Sequence, residues 1–334
     1  MKTSQSILQG DRLALARLLT KIENNTPEAR DVLIELFPHS GKAHLIGVTG
    51  APGTGKSSLV NQLALHYRKA EDKKIAILAV DPSSPFTGGA VLGDRVRMRD
   101  LSGDEKVFIR SMATRGSLGG LAQSTANMTQ AFDAAGFDIV IIETVGAGQS
   151  EVDIARLAHT TIVVEAPGLG DEIQAIKAGI LEIADILVVN KADRPGVENT
   201  EKALKSMLEL AHPTERIFRH HGIAMKAETP KQNPNKNLWI PPIQKTISTE
   251  GAGIPELADS IAKHAAHLRS GEGWSARVRI RLQVEMEALI QESLMNRFRQ
   301  DISKEKYDEV FEKVFQRNIS PWEAVKILMN GRLK

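Results

Sequence analysis

The segment Gly50-Ala-Pro-Gly-Thr-Gly-Lys-Ser57 decides the fold, because it matches the phosphate-binding pattern G-x-x-x-x-G-K-[S/T] at every fixed position. An apolar run, Leu45–Val48, precedes it, and a helical pattern begins near Ser58. The backbone N–H groups of such a loop converge on a phosphate, and the amino end of the following helix favours negative charge there. The segment therefore predicts a strand, a phosphate-binding loop and a helix in succession, with a site for a nucleoside triphosphate.

Two side chains of this loop have specific expected roles. Lys56 can reach the β- and γ-phosphates, and the hydroxyl of Ser57 can bind Mg²⁺. A glycine-rich turn that only connects two elements is the alternative, which the strand–loop–helix context disfavours. We expect the nucleotide to be contacted here by Gly50, Ala51, Pro52, Gly53, Thr54, Gly55, Lys56, Ser57 and Ser58.

The composition argues against several classes of protein. In the 334-residue chain the 43 Lys and Arg residues nearly balance the 41 Asp and Glu residues, so the net charge of +2 gives no indication of a nucleic-acid partner. The absence of cysteine excludes disulfides and thiolate metal sites, and it fits a reducing compartment. No apolar run approaches the roughly 18 residues of a membrane-spanning helix. We therefore expect a cytoplasmic protein that binds neither nucleic acid nor membrane.

Hydrophobic patterning divides the chain into three expected segments. Residues 1–42 are predicted to form a helical extension of two short helices, residues 43–271 the nucleotide-binding domain, and residues 272–334 a helical arm. Seven strands are predicted in the middle segment, namely His44–Thr49, Lys74–Val80, Val107–Met112, Asp138–Glu143, Thr160–Glu165, Ile186–Asn190 and Ile243–Ser248. Several are continuous apolar runs, which are typical of parallel strands buried on both faces. With amphipathic helices between them, the pattern indicates an α/β fold with a doubly wound, mostly parallel sheet.

A second motif, Asn190-Lys-Ala-Asp193, ends a predicted strand and indicates which base is bound. The carboxylate of Asp193 can accept hydrogen bonds from N1–H and the exocyclic amine of guanine, whereas adenine offers neither donor there. The stem of Lys191 can lie along the plane of the base. These features favour GTP over ATP. After the last predicted strand, backbone amides of Ser248, Thr249 and Glu250 are candidates for contacting guanine O6, and a helix-entry turn accounts for them almost as well.

Three acidic residues are candidate ligands of Mg²⁺ or of a water bound to it. Glu143 ends a predicted strand, and Gly146 is expected to sense the γ-phosphate; an exposed acid at a strand end is the alternative. Asp81 and Asp94 lie in a Gly- and Pro-containing segment expected to be a switch, with a capping or turn role as the alternative for each. Ala147 stands where many regulatory GTPases have a glutamine that orients the attacking water, so we expect slow hydrolysis. The expected catalytic residues are Lys56, Asp81, Asp94 and Glu143, and the expected metal ligands are Ser57, Asp81, Asp94 and Glu143.

Five segments together closely resemble the MeaB/ArgK family. They are Gly47–Ser57, Val80–Pro85, Gly88–Met98, Glu143–Glu151 and Asn190–Asp193. Residues 9–23 are similar to the N-terminal helix of that family, and the likeness continues to the end of the chain. The resemblance therefore covers nearly the whole sequence rather than the phosphate loop alone.

The resemblance implies a fold, an activity and partners. Members are SIMIBI-class P-loop GTPases that bind GTP or GDP with Mg²⁺ and hydrolyse GTP slowly until a partner stimulates them. They are chaperones of adenosylcobalamin-dependent acyl-CoA mutases, typically methylmalonyl-CoA mutase, and they gate cofactor loading and protect or reactivate the mutase. They are homodimers joined in part through a C-terminal helical arm, which residues 272–334 match here. An adenosyltransferase is a further candidate partner.

The resemblance also points to a second switch and leaves two other functions open. The stretch Gly168–Lys177 looks like an additional switch of the family, with Gln174 and Lys177 as its expected coupling residues; a solvated helix lysine is the alternative for Lys177. A GTPase metallochaperone is disfavoured by the absence of cysteine. A nucleotide-dependent kinase linked to amino-acid transport is disfavoured by Asp193, which does not suit adenine.

Overall fold

A computed structural model describes residues 2–82, 98–101, 103–114, 118–144, 155–168, 183–211, 217–220, 223–226 and 238–329. Its strands are β1 His44–Thr49, β2 Ile75–Pro82, β3 Val107–Thr114, β4 Ile139–Thr144, β5 Thr160–Glu165, β6 Ile186–Asn190, β7 Ile217–His220, β8 Ile223–Lys226 and β9 Ile243–Thr246. Its helices are α1 Thr3–Leu8, α2 Arg12–Glu23, α3 Pro27–Leu36, α4 Lys56–Glu71, α5 Leu118–Ala134, α6 Val197–Ala211, α7 Ile254–Ser270, α8 Gly273–Asp301, α9 Lys304–Phe315 and α10 Pro321–Met329.

Seven strands form one sheet in the order β3-β2-β4-β1-β5-β6-β9, and all six neighbouring pairs are parallel. The expected α/β fold with a doubly wound sheet is confirmed. Strands β4, β5 and β6 are buried along their whole length, as the apolar runs within them favour. Because the strands are parallel, their carboxyl ends meet at one edge, where ligands bind in open α/β sheets.

Helices cover both faces of the sheet. On one face, apolar side chains of α4 and α7, such as Leu59 and Ile261, pack with strand residues such as Ile77. On the other face, α2, α3 and α5 pack against the alternate residues of the same strands, such as Leu78. The α6 helix contributes Leu204 to a smaller cluster with β5 and β6. Alternate residues of each strand therefore serve two separate cores, which holds the sheet rigidly between its helices.

The N-terminal extension contains three helices, so the expectation of two was wrong. The extra helix, α1, is short and polar, and it is held by two buried side chains, Ser4 and Ile7. Asp11 then caps α2 by accepting from the backbone N–H groups of Leu13 and Ala14. The linker from this extension to β1 is held by Asp133, whose carboxylate accepts from three successive backbone N–H groups at residues 41–43.

Two further differences from the predicted elements have simple physical causes. The antiparallel pair β7–β8 is not evident in the sequence, because strands of four residues carry too short an alternation to be recognised. The last strand ends at Thr246 rather than Ser248, because Ile247 turns back to form an antiparallel bridge with Ala252. None of the helices in the described ranges has the length and apolarity needed to cross a membrane.

The chain divides into two compact units, residues 1–281 and residues 282–334. The boundary lies inside α8, which is 29 residues long and has no buried residue along its fully described length. Large apolar side chains are exposed along it, namely Ile280, Leu282, Val284, Met286, Leu289, Ile290, Leu294 and Met295. The domain limits at residues 42 and 271 stay a prediction.

Candidate nucleotide-binding site

The loop Gly50–Ser57 leaves β1 at the carboxyl edge of the sheet and enters α4 at Lys56. Its first and last glycines have positive φ angles, +138° at Gly50 and +93° at Gly55. A Cβ atom at Gly50 would lie 2.1 Å from the carbonyl oxygen of Val164, and one at Gly55 would lie 2.4 Å from Nδ2 of Asn190. Only glycine allows the loop to pass this close to β5 and to the end of β6.

The Lys56 side chain lies against its own loop. Its Nζ donates to the backbone carbonyls of Gly50 at 2.8 Å and Ala51 at 3.0 Å. Thr54 closes the turn by donating its hydroxyl to Ala51 O at 3.0 Å. The loop thus brings a buried ammonium group to the amino end of α4, where an anion is already favoured.

Ser57 and Glu143 are brought together at the start of α4. Glu143 lies on β4 opposite Val48 of β1, and the hydroxyl of Ser57 donates to its Oε1 at 2.6 Å. Beside them, the hydroxyl of Thr144 donates to that of Thr49 at 3.0 Å. A hydroxyl and a carboxylate are hard oxygen donors, the ligand type that Mg²⁺ takes. The donor chemistry at this point therefore fits Mg²⁺.

Asn190 joins the phosphate loop to the end of the sheet. The residue is 1% exposed, and its Nδ2 donates to the carbonyl of Thr54 at 2.8 Å. Its Oδ1 accepts from the hydroxyl of Thr246 at 3.0 Å, and from the hydroxyl and backbone N–H of Ser248 at 2.7 and 3.2 Å. One buried amide therefore fixes three segments that are distant in sequence, namely the loop, the end of β6 and the segment after β9.

The remaining residues of the guanine motif form a turn beside this amide. Lys191 has a φ angle of +58°, and its Nζ donates to Gly53 O at 2.6 Å, so its stem crosses towards the phosphate loop. Asp193 follows in the turn and is exposed. In the neighbouring segment Ser248 is buried, whereas Thr249 and Glu250 are exposed. The two segments expected to surround the base are thus adjacent, with the predicted base-reading carboxylate at the surface.

Several predicted site residues cannot be placed. The backbone of Asp81 lies in β2, beyond the pair formed by Val80 and Thr144, so it reaches the same edge of the sheet as the loop. Its side chain is outside the described part of the molecule. Four other predicted residues also lie outside the described residues, namely Asp94, Gly146, Gln174 and Lys177.

Three residues in this network were not among the predicted ones. Thr246 donates to Asn190, and Thr49 accepts from Thr144 behind the loop. Each is a hydroxyl residue at the carboxyl end of a strand, which is the signal that could have pointed to them.

Comparison with known proteins agrees with this geometry. The family described as methylmalonyl Co-A mutase-associated GTPase MeaB matches residues 15–303. A protein of Pyrococcus abyssi that is named as a GTPase is 40% identical over 321 residues, covering 96% of this chain and 93% of its own. The mitochondrial methylmalonic aciduria type A homolog of Caenorhabditis elegans is 36% identical over 274 residues, covering 78% of this chain and 64% of its own. The crystal structure of a LAO/AO transport system kinase superposes with a TM-score of 0.66 at 28% identity, covering 98% of this chain and 95% of the other.

Proposed function

Because this chain belongs to the MeaB family of methylmalonyl-CoA mutase-associated GTPases, we propose that it is a GTP-hydrolysing chaperone of an adenosylcobalamin-dependent acyl-CoA mutase. The observation that carries the nucleotide part is Asn190, which ties the phosphate loop to the two segments expected to hold guanine. We expect the phosphates to lie in the loop Gly50–Ser57, against Lys56 and the amino end of α4. Asp193 would then accept from the base.

In the proposed reaction the chain holds GTP in place and balances the charge of its phosphates. It does not supply a strong base. Lys56 would leave its two loop carbonyls to balance the charge of the β- and γ-phosphates. Ser57, with Glu143, Asp81 and Asp94, would hold Mg²⁺ directly or through water, and when bound Mg²⁺ would neutralise charge on the phosphate oxygens. The methyl side chain of Ala147 cannot orient a water by hydrogen bonding, so turnover by the chain alone should be slow.

The partner assignment rests on relatives and on the exposed arm. The family description names methylmalonyl-CoA mutase, and the name of the C. elegans relative refers to methylmalonic aciduria, so both support methylmalonyl-CoA mutase as client class. The long helix α8 leaves its apolar side chains exposed in a single chain, and a second copy of this chain would cover them in a homodimer.

We place this assembly in the cytoplasm. The chain has no cysteine, so it needs no oxidising compartment to form disulfides. The proposal has two further parts. Gln174 and Lys177 relay the nucleotide state to the mutase, and the protein contacts an adenosyltransferase.

GTP turnover by the full chain, measured alone and with a purified adenosylcobalamin-dependent acyl-CoA mutase, tests the proposal. We expect slow basal turnover that rises severalfold with the mutase. A turnover rate that no acyl-CoA mutase changes would leave a GTPase and reject the chaperone assignment.

An Asp193→Asn variant tests the base assignment separately. It should bind GDP more weakly and accept xanthine nucleotides, because the amide presents a donor where the carboxylate accepts. Calorimetric titration with GDP and XDP measures both changes. Equal GDP affinity in the variant and the parent would remove Asp193 from the site.

A further inference from the structure

A second polar cluster lies at the amino edge of the sheet, opposite the candidate nucleotide site. Its central contact is made by Arg277, in the first turns of α8. The guanidinium donates to both carboxylate oxygens of Asp185, each at 2.7 Å, and to the backbone carbonyl of His159 at 2.9 Å. Asp185 directly precedes β6, and His159 directly precedes β5. One side chain therefore bridges the amino ends of two adjacent strands.

The Asp185 carboxylate is held on every side. The Asp185 side chain is 9% exposed, and its carboxylate accepts from the backbone N–H of Thr161 at 2.8 Å and lies 3.3 Å from Nε2 of His264 on α7. Burial alone would raise the pKa of Asp185, but the contacts with His264 and Arg277 outweigh burial and lower it. The carboxylate thus stays ionised, and a bidentate pair of this kind fixes both distance and orientation.

Stacked rings hold the base of α8 at the same place. The indole of Trp274 stacks on His159, with ring centroids 3.9 Å apart and an angle of 19° between the planes. The guanidinium of Arg269, at the end of α7, lies 4.2 Å from the centroid of Trp274. His159 itself accepts from the backbone N–H of Leu45 in β1 through Nδ1. The first turns of α8 are therefore tied to β1, β5 and β6 together.

The opposite ends of β5 and β6 line the candidate nucleotide site. Val164, near the end of β5, is the residue that the loop approaches so closely at Gly50. Asn190, at the end of β6, holds Thr54 and Ser248. A five-residue strand spans only about 17 Å. Both strands are fully buried, so a displacement at one end has little room to relax before the other.

The α7 helix offers a second connection between the two ends. It begins at Ile254, directly after the segment that Asn190 holds, and it ends at Ser270 beside the base of α8. On the way it contributes His264 and Arg269 to the amino-edge cluster.

We propose that Arg277 couples the base of the C-terminal arm to the guanine nucleotide site, by fixing the spacing of β5 and β6 at their amino ends. Arg277 is a positioning residue that acts through these strands and does not touch nucleotide. Because coupling is reciprocal, nucleotide binding changes the stability of the first turns of α8, and a partner that binds α8 changes nucleotide affinity. This inference rests on the proposed function, since it requires guanine nucleotide to bind at the site described above.

Amide hydrogen exchange of the full chain, with and without GDP, tests the coupling. The variants are Arg277→Gln and, as matched control, Arg279→Gln, which changes an exposed arginine of the same helix. We expect GDP to slow exchange at residues 190–194 and 246–253 in all three proteins. At residues 273–281 we expect GDP to slow exchange by about fivefold in the parent and in Arg279→Gln, but not in Arg277→Gln. A change of about fivefold corresponds to a coupling free energy at the lower end of the usual range.

The outcomes separate this inference from the proposed function. Protection by GDP at residues 190–194 without any change at residues 273–281 of the parent would overturn the coupling and leave the nucleotide site intact. Equal protection of residues 273–281 in the parent and in Arg277→Gln would also overturn it. Failure of GDP to bind at all would reject the proposed function and this inference with it. Should Arg277→Gln not fold, Arg277→Lys keeps the charge but loses the bidentate bridge, and we expect it to lose the protection at 273–281.

Discussion

Replacing Asn190 by alanine should weaken both the fold and the nucleotide site. The substitution removes the donor to Thr54 O and the shared acceptor of Thr246 and Ser248, all in a region closed to water. Four hydrogen bonds are lost, and each contributes a net value of about 1 kcal/mol to stability. Because two of the hydroxyls can turn to other acceptors, we expect the free energy of unfolding to fall by about 3 kcal/mol rather than by the full sum. With its carbonyl anchor gone, the loop should bind GDP at least about tenfold more weakly, or 1.4 kcal/mol.

Urea unfolding followed by circular dichroism measures the stability change, and calorimetric titration with GDP measures the affinity. Asn199→Ala is the matched control, because Asn199 is exposed on α6 and its loss should change stability by no more than about 0.5 kcal/mol. Asn190→Asp sharpens the test, since it keeps one acceptor oxygen but sets the other against the Thr54 carbonyl. If Asn190→Ala unfolds within about 1 kcal/mol of the parent and binds GDP equally well, the amide is not the anchor that its contacts imply.

The other predictions concern the loop and the buried histidines. Gly50→Ala should reduce GDP affinity by at least about tenfold, because its Cβ would lie 2.1 Å from Val164 O. Gly136→Ala is the control: Gly136 also has a positive φ, but a Cβ there would have nothing within 4 Å, so the change should cost only about 1 kcal/mol of stability and leave GDP affinity unchanged. Equal GDP affinity of the two variants would contradict the steric argument. Burial, with nearby positive charge, lowers the pKa of His44 to about 3 and of His159 to about 2. In the unfolded chain both ionise near pH 6.5, so unfolding takes up protons below that pH, and the free energy of unfolding should fall by about 2 kcal/mol per histidine between pH 7 and pH 5. His44→Gln with His159→Asn should flatten that pH dependence in urea unfolding; an unchanged slope would show that other groups cause it.

The sheet could be predicted from sequence because several of its strands are buried on both faces. The runs at 139–142 and 186–189 are apolar throughout, and both lie in interior strands. The short elements could not be predicted in the same way. Helix α1 offers one buried apolar side chain in six residues, Ile7, and the strands of β7–β8 are four residues each. Segments this short carry too few residues for a periodic pattern to identify them.

Some features of the candidate site could likewise be predicted from the sequence, and others could not. The phosphate loop and the Asn190–Asp193 motif are local patterns, so their positions at the carboxyl edge follow once the strands are assigned. The contacts that join them are not local. Asn190 and Thr54 lie 136 residues apart, and at the opposite edge of the sheet Arg277 and Asp185 lie 92 apart. Neither pair has a spacing or composition that marks it in one sequence, because only the crossovers of the sheet bring the partners together.

The strand order also determines when this protein can fold during its synthesis. β1 pairs with β4 and β5, so about 95 further residues must be synthesised before its first neighbouring strand exists. Until then the phosphate loop has no Glu143 beside it, and the apolar sides of α2 and α3 have no α5 to cover them. The nascent chain therefore exposes these surfaces at the ribosome, where a chaperone that binds apolar segments would protect it. Guanine nucleotide cannot assist early folding, because β6 and the segment after β9 emerge still later.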